Sequence, residues 1–305
     1  MDYLPLGLLI RRLRKLNGIS QDKLAEGIMD RGNLARVERG QQNISKDKMD
    51  LLLNRLGTDS KRFFPYVLSD EEFENYELRS KLENYLVRRR LKDATKLIRE
   101  MEAIPDFKQG LSKQFLLKSK AALSDLKGLN INRRYKYLVE AIKITVPKFK
   151  ETMVHTYLLA GDDIEIIGMM AGIHTDKGEH RKANDLLQKL ALNIKNHYMD
   201  EYEKARSLTF VLFNLSCVLD TQKRYEEMLA VCDEAIAVSE ENQIYGLLPQ
   251  LKFNKARCLF YLDRKDEVKE LLLQAYYGSL ALGHAGRSSF MSKFASEELQ
   301  IEIEA

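Results

Sequence analysis

The stretches ISQDKLAE at residues 19–26 and LARVERG at residues 34–40 decide the fold of the N-terminal part of the chain. In the first stretch, the Ser20 hydroxyl can accept hydrogen bonds from backbone amides at a helix start, and Leu24 belongs to the buried face of that helix. In the second stretch, Gly40 follows a helical pattern of apolar residues and can end that helix in a left-handed conformation.

A turn at residues 29–32 would separate these two helices, so that the second runs from about residue 33 to residue 39. The apolar residues of the second helix would be buried, while its polar residues face outward. Two short helices joined by a tight turn, the second with a polar outer face, are typical of a DNA-reading motif.

Both stretches resemble the XRE (Cro/repressor-like) family of helix-turn-helix domains. Residues 45–57, followed by Phe63 and Phe64, are similar to the closing helices of that family. The resemblance implies an all-α, lambda-repressor-like domain of five helices over residues 1–66. The turn between the second and third helices is one residue shorter than in most of the family, and is similar to the turn of PlcR-like peptide-sensing regulators.

The same resemblance implies that the following residues contact DNA: Gln21, Arg31, Asn33, Arg36 and Arg39. The Gln21 side chain and amide would hold a phosphate, whereas Arg31, Asn33 and Arg36 would reach bases or backbone in the major groove. Outside such a motif, Arg36 and Arg39 would be interpreted as part of a solvated helix face.

Two further residues of the motif are expected to be structural. Gly32 lies where the family usually has a serine cap, which Asp30 would replace. Glu38 is expected to be an internal hydrogen-bond or ion-pair partner, because DNA phosphates would repel its carboxylate.

The rest of the chain repeats itself. Residues 214–228 and 254–268 align without gaps forty residues apart, and residues 169–183 have the same pattern. Weaker copies lie around residues 82–101 and 116–144. These blocks resemble tetratricopeptide repeats, in which one helical hairpin cannot bury its apolar side alone, so that several hairpins stack.

That resemblance implies an all-α protein whose residues 81–305 form a tetratricopeptide-like α-solenoid of about five helical hairpins. A capping helix would follow at residues 287–303. A linker helix region at residues 67–80 would join the two domains, and a capping box at residues 69–72 would start its helix.

In tetratricopeptide-like stacks, the first helix of each hairpin lines the inner surface, which implies the following peptide-binding residues: Phe210, Phe213, Asn214, Gln250, Phe253, Asn254, Arg257 and Tyr261. An inward asparagine such as Asn214 or Asn254 can donate to a carbonyl and accept from an amide of a peptide backbone. Asparagine also occupies this position in repeats that have no known ligand. Arg257 would pair with a ligand carboxylate or, alternatively, form a salt bridge within the stack.

A helix-turn-helix followed by such repeats resembles the RRNPP-type regulators, the group that contains PlcR, Rgg, NprR and PrgX. The resemblance implies a transcription regulator that binds a short signalling peptide, of the quorum-sensing type, and reads a palindromic double-stranded DNA operator as a homodimer. Two alternatives stay open. The repeats could bind a protein partner instead of a peptide, or the protein could be a phage-type lysis and lysogeny switch.

Composition agrees with a DNA-binding protein of the cytoplasm. Residues 1–66 hold thirteen Lys/Arg against eight Asp/Glu, so the net charge of +4 is concentrated there and the remainder carries −1. The three cysteines have neither the even count nor the close spacing of a disulfide framework or zinc site. No apolar run approaches the ~20 residues of a membrane span. No catalytic motif is present, so we expect the protein not to be an enzyme and to bind no cofactor or metal.

Overall fold

The computed structural model describes residues 6–58, 70–197, 199–283 and 285–299. Within these ranges the chain forms fifteen α-helices and three short 3-10 helices, and no strand is present. The expected all-α fold, with an N-terminal helix-turn-helix followed by a helical repeat region, is confirmed.

Four helices, called the head below, open the chain: α1 (Leu6–Leu16), α2 (Gln21–Ala25), α3 (Arg31–Glu38) and α4 (Lys46–Arg55). They enclose one apolar core, which includes Ile10 of α1, Leu24 of α2, Leu34 of α3 and Leu53 of α4. The fifth helix that we expected near Phe63 and Phe64 lies outside the described residues.

The turn between α2 and α3 lies earlier than the sequence predicted. The Ser20 hydroxyl accepts from the amide of Lys23 at 3.1 Å, as expected of a cap. Helix α2 ends at Ala25, and Gly27 then adopts a left-handed conformation with φ +73°. Asp30 is the extended N-cap of α3 but makes no side-chain cap hydrogen bond, so α3 begins at Arg31 and the predicted start near residue 33 was wrong.

A buried ion pair fixes α3 against α1 and α2. Glu38 is 1% exposed, and its carboxylate accepts from Arg14 at 2.5 and 2.8 Å and from the side chain of Gln21 at 2.8 Å. Burial acts to raise the pKa of Glu38, but the hydrogen bonds from Arg14 and Gln21 outweigh burial and hold this pKa below its ordinary value. The predicted internal role of Glu38 is confirmed.

Five pairs of consecutive helices follow the head: α5 (Asp70–Val87) and α6 (Leu91–Ala103), α7 (Gly110–Leu126) and α8 (Ile131–Thr145), α9 (Gly161–Asp176) and α10 (His180–Asn196), α11 (Glu201–Thr221) and α12 (Tyr225–Glu241), α13 (Leu248–Tyr261) and α14 (Val268–Ala281). A last helix, α15 (Ala285–Glu298), closes the described chain. The expected five hairpins and C-terminal helix are both present. The predicted end of that helix, at residues 300–303, lies outside the described residues.

All five hairpins turn in the same way. Two residues after the first helix of each pair, one residue adopts a left-handed conformation: Arg89, Gly128, Gly178, Lys223 and Asp263. The amide of the next residue then donates to the carbonyl five positions earlier, as Arg224 does to Leu219 at 3.1 Å. This is a Schellman motif, which satisfies carbonyl groups that a helix end leaves without partners.

The chain divides into two compact units, Met1–Ile173 with Asn196–Asp200, and His174–Lys195 with Glu201–Ala305. Within the first unit, α4 of the head contacts α7. The proposed boundaries at residues 66 and 80 stay a prediction.

The left-handed turn of the α11–α12 hairpin generates the first prediction. Lys223 has φ +56°, where a Cβ atom costs on the order of 1 kcal/mol and glycine costs nothing comparable. We expect Lys223→Gly to raise the free energy of unfolding by about 1 kcal/mol, measured by chemical denaturation. Lys223→Ala is the matched control, since it removes the same side chain but keeps the Cβ atom that strains the left-handed backbone. An equal rise of the free energy of unfolding in both variants would contradict this explanation.

Candidate functional site

The outer face of α3 carries most of the residues that were predicted to contact DNA. Since α3 buries Leu34, Val37 and Glu38, its other side chains point away from the core. Arg31, Arg36 and Arg39 are exposed, and Asn33 is half-buried. The structure therefore presents Arg31, Asn33 and Arg36 on the outer face of α3, with Arg39 at the C-cap of this helix.

Two of these residues support one another. The Arg36 guanidinium donates to the side-chain oxygen of Asn33 and, at 3.0 Å, to that of Gln42. These bonds restrict the rotamers of Arg36 before any ligand binds, which lowers the entropy cost of using it for recognition. Sequence reasoning missed Gln42, because it follows the helix and belongs to no part of the motif.

Gln21 has a different environment from the one expected. Its side-chain nitrogen donates to Glu38 inside the head, so this atom is already used. Its backbone amide is what Gln21 can offer to a phosphate, because the side-chain oxygen is an acceptor and cannot donate to one.

A concave cleft of 420 Å³ lies beside α3 and is lined by α1, α2 and α3: Arg11, Arg14, Lys15, Ser20, Gln21, Asp22, Arg31, Ala35, Glu38 and Arg39. Of its two acids, Glu38 is neutralised by Arg14, and Asp22 lies 3.7 Å from Arg31. The cleft is therefore cationic and suits a phosphate. Sequence reasoning missed Arg11 and Lys15, although the basic run RRLRK at residues 11–15 was a usable signal.

The predicted peptide-binding residues lie on α11 and α13, within the second unit. Phe253, Asn254 and Gln250 are buried, while Tyr261 is 42% exposed. The others, Phe210, Phe213, Asn214 and Arg257, are half-buried. This set is therefore a mixture of packing residues and accessible ones.

Both predicted asparagines use their amide nitrogen within the protein. Asn214 donates to the Phe210 carbonyl of its own helix at 2.8 Å, and Asn254 donates across to the Ser216 hydroxyl of α11 at 2.9 Å. Among the described residues, neither side-chain oxygen accepts a hydrogen bond. Each asparagine can therefore accept from a ligand amide more readily than it can donate to a ligand carbonyl.

Arg257 is paired within the stack. Its guanidinium donates to Asp220 of α11 at 2.6 Å and lies about 6 Å from three ring centroids, those of Phe253, Tyr261 and Phe294. Burial acts to lower the pKa of Arg257, but the charge of Asp220 and the hydrogen bonds with Asp220 and Tyr261 together outweigh burial and raise this pKa. The salt bridge that the sequence left as an alternative is thus present, and a ligand carboxylate would have to compete with Asp220.

Helix α15 contributes aromatic residues that sequence reasoning missed. Phe290 and Phe294 meet Phe253 edge to face, with ring centroids 5.7 and 5.4 Å apart, and Phe290 is 58% exposed. Tyr225 stacks on Tyr261 at 4.7 Å. The face shared by α11, α13 and α15 therefore combines aromatic rings, asparagine oxygens and a neutralised arginine.

Comparison with known proteins agrees with both parts of this architecture. A helix-turn-helix family model matches residues 10–63. The fold is similar to that of PlcR from Bacillus thuringiensis in complex with the peptide PapR7 and DNA, with a TM-score of 0.61, 19% identity, and coverage of 94% of this chain and 98% of PlcR. For the apo form of the competence regulator ComR from Streptococcus vestibularis, the TM-score is 0.53 at 17% identity, covering 96% of this chain and 98% of ComR.

The expected resemblance to PlcR-like regulators is thereby confirmed at the level of the fold. No curated protein sequence matches the chain significantly. Among the described helices, none is long and apolar enough to cross a membrane.

Proposed function

We propose that this chain is a DNA-binding transcription regulator whose repeats bind a short signalling peptide, which changes DNA binding through a homodimer. The observation that carries the proposal is the cationic reading face of α3 in a helix-turn-helix head that precedes a stack of helical hairpins. PlcR, which has a similar fold, was determined with both a peptide and DNA bound. The proposal includes a cytoplasmic location, where the protein meets DNA, and a regulatory rather than a catalytic role.

The head would use two kinds of contact. Arg11, Lys15 and Arg39 line the cationic cleft and would neutralise phosphates, which supplies affinity that does not depend on sequence. Arg36, held by Asn33 and Gln42, would supply the sequence-dependent contact, because a fixed guanidinium can donate two parallel hydrogen bonds to guanine.

The repeats would bind the peptide along α11, α13 and α15. The side-chain oxygens of Asn214 and Asn254 would accept from backbone amides of the peptide, while Phe290 and Tyr261 would pack against apolar side chains. Since Asp220 already neutralises Arg257, recognition would depend on the peptide backbone and apolar groups more than on a ligand carboxylate.

A homodimer would place two heads on one operator. Two-fold symmetry of the protein then requires two half-sites in inverted orientation, about one helical turn or ~34 Å apart. A palindromic operator follows from that symmetry.

Replacement of Arg36 tests the reading face. We expect Arg36→Ala to weaken binding to the duplex that the wild-type chain selects by about 10- to 100-fold, since a good base contact contributes about 1–3 kcal/mol. The measurement is fluorescence anisotropy with a duplex selected by the wild-type chain from a random-sequence pool. Arg99→Ala, an equal charge change at an exposed position of α6, is the control. Unchanged affinity in Arg36→Ala would exclude this contact.

Replacement of Asn214 tests the peptide site. Asn214→Ala should reduce the change in DNA affinity caused by the small-peptide fraction of the source culture, because it removes an acceptor from the α11 face. Asn242→Ala is a matched control, since Asn242 makes the same bond to the carbonyl four residues earlier, but at the C-cap of α12. Asn254→Ala should have the same effect as Asn214→Ala, together with some loss of stability from its bond to Ser216. Full response in both Asn214→Ala and Asn254→Ala would refute the site and favour a protein partner.

A further inference from the structure

One arginine joins the head to the repeats inside the first unit. Arg55, the last residue of α4, is 9% exposed. Its guanidinium donates to the carbonyls of Leu24 and Glu26 at 2.9 and 2.6 Å, and to the carbonyl of Thr145 at 2.5 Å. Leu24 and Glu26 lie at the C-terminal end of α2, and Thr145 is the last residue of α8.

The chemistry of these acceptors explains why a buried arginine is stable there. The last carbonyls of a helix have no intrahelical partner and carry the negative end of the helix dipole. A guanidinium presents five donors in a planar fork, so Arg55 can satisfy two helix ends at once. Burial lowers the pKa of Arg55, and the carboxylates of Asp163 and Glu26 oppose that shift.

The acceptor on the repeat side is itself held in place. The Thr145 hydroxyl donates to Asp163 of α9 at 2.5 Å, and the side-chain nitrogen of Gln114 of α7 donates to Asp163 at 2.8 Å. The backbone amide of Ala160 donates to the second oxygen of Asp163 at 2.9 Å. Asp163 is 1% exposed, so this network is buried and ties the end of α8 to α7 and α9.

Two more contacts join the head to the repeats. Gly27 lies so close to the repeats that a Cβ atom there would stand 2.9 Å from the ring of Pro147. The amide of Asp200 donates to the carbonyl of Gly57, just after α4, at 3.1 Å. Contacts at three separate places are enough to fix the orientation of the head on the repeats. Arg55 is the side chain whose hydrogen bonds reach both sides, two to carbonyls of the head and one to the carbonyl of Thr145.

We propose that Arg55 is a positioning residue, which fixes the orientation of the head on hairpin α7–α8 and helix α9 so that the repeats set the spacing of two reading helices in a dimer. The spacing statement rests on the proposed function, whereas the orientation statement does not. The apolar core and the DNA contacts of the head would persist without Arg55, because neither includes this residue, although two carbonyls at the end of α2 would lose a donor. Without Arg55, the distance between the two reading helices of the dimer would no longer equal the distance between the two half-sites.

Double electron–electron resonance tests whether Arg55 fixes the orientation of the head. Spin labels would be attached at Gln41→Cys in the head and Lys136→Cys in α8, both exposed positions. The exposed Cys217 would be replaced by serine, and the labelled protein would be diluted with unlabelled protein. The wild-type background should give one narrow distance distribution, and Arg55→Met should broaden it. Arg12→Met, at an exposed arginine of α1, is the control and should stay narrow. A distribution as narrow in Arg55→Met as in the control would overturn the proposal.

The spacing statement is tested with two duplexes, one carrying a single half-site and one carrying the paired site, both from the pool selected by the wild-type chain. Arg55→Met should lose about tenfold or more on the paired site, where two heads bind as one unit, and stay within about twofold on the single half-site. An equal loss on both duplexes would mean that Arg55 supports only the fold of the head, which would contradict the proposal.

Asp163→Asn perturbs the same junction from the repeat side, without touching the head. It should broaden the distance distribution and reduce binding to the paired site selectively, as Arg55→Met does. A narrow distribution in this variant would contradict the role assigned to the network. Absence of DNA binding by the wild-type chain would refute the proposed function, while the resonance measurement would still decide whether Arg55 fixes the head.

Discussion

Every α-helix ends with carbonyl groups that have no partner within the helix, and satisfying them shapes both parts of this protein. In the repeats, the five helix pairs do so with the same left-handed turn. In the head, α2 ends after five residues, and its terminal carbonyls accept from Arg55, a residue of another helix. One requirement of the backbone thus produces both the regularity of the stack and the attachment of the head.

The distribution of paired charges separates structural residues from those available to a ligand. Glu38 with Arg14, Asp220 with Arg257, and Lys118 with Asp162 and Glu165 are ion pairs that include well-buried side chains. Each buried charge among them has an opposite charge beside it within the protein, so these groups hold helices together and are poor candidates for DNA or ligand contacts. Among the described residues, Arg11, Lys15 and Arg39 have no such partner and line one cleft, which is why that cleft is the best candidate for binding phosphates.

The sequence predicted what is local or periodic and failed where a contact joins distant residues. The forty-residue repeat and the caps around Ser20 and Gly40 were sufficient to predict the hairpins and the head. The start of α3 was misplaced because the serine cap is replaced by Gly32, and an extended Asp30 begins the helix earlier. The junction at Arg55 was not predictable, since its acceptors lie 31, 29 and 90 residues away. The pairing of Arg257 depends in the same way on Asp220 in the preceding hairpin, 37 residues earlier.

Hydrogen–deuterium exchange on the full chain tests most directly whether DNA and peptide bind to different parts of this protein. The exchange of each segment would be measured alone, with the selected duplex, and with the small-peptide fraction of the source culture. The account predicts that the duplex slows exchange in α2 and α3, and that the peptide fraction slows exchange in α11, α13 and α15. A duplex that protects no part of the head, or a peptide fraction that protects the head and leaves these three helices unchanged, would contradict it.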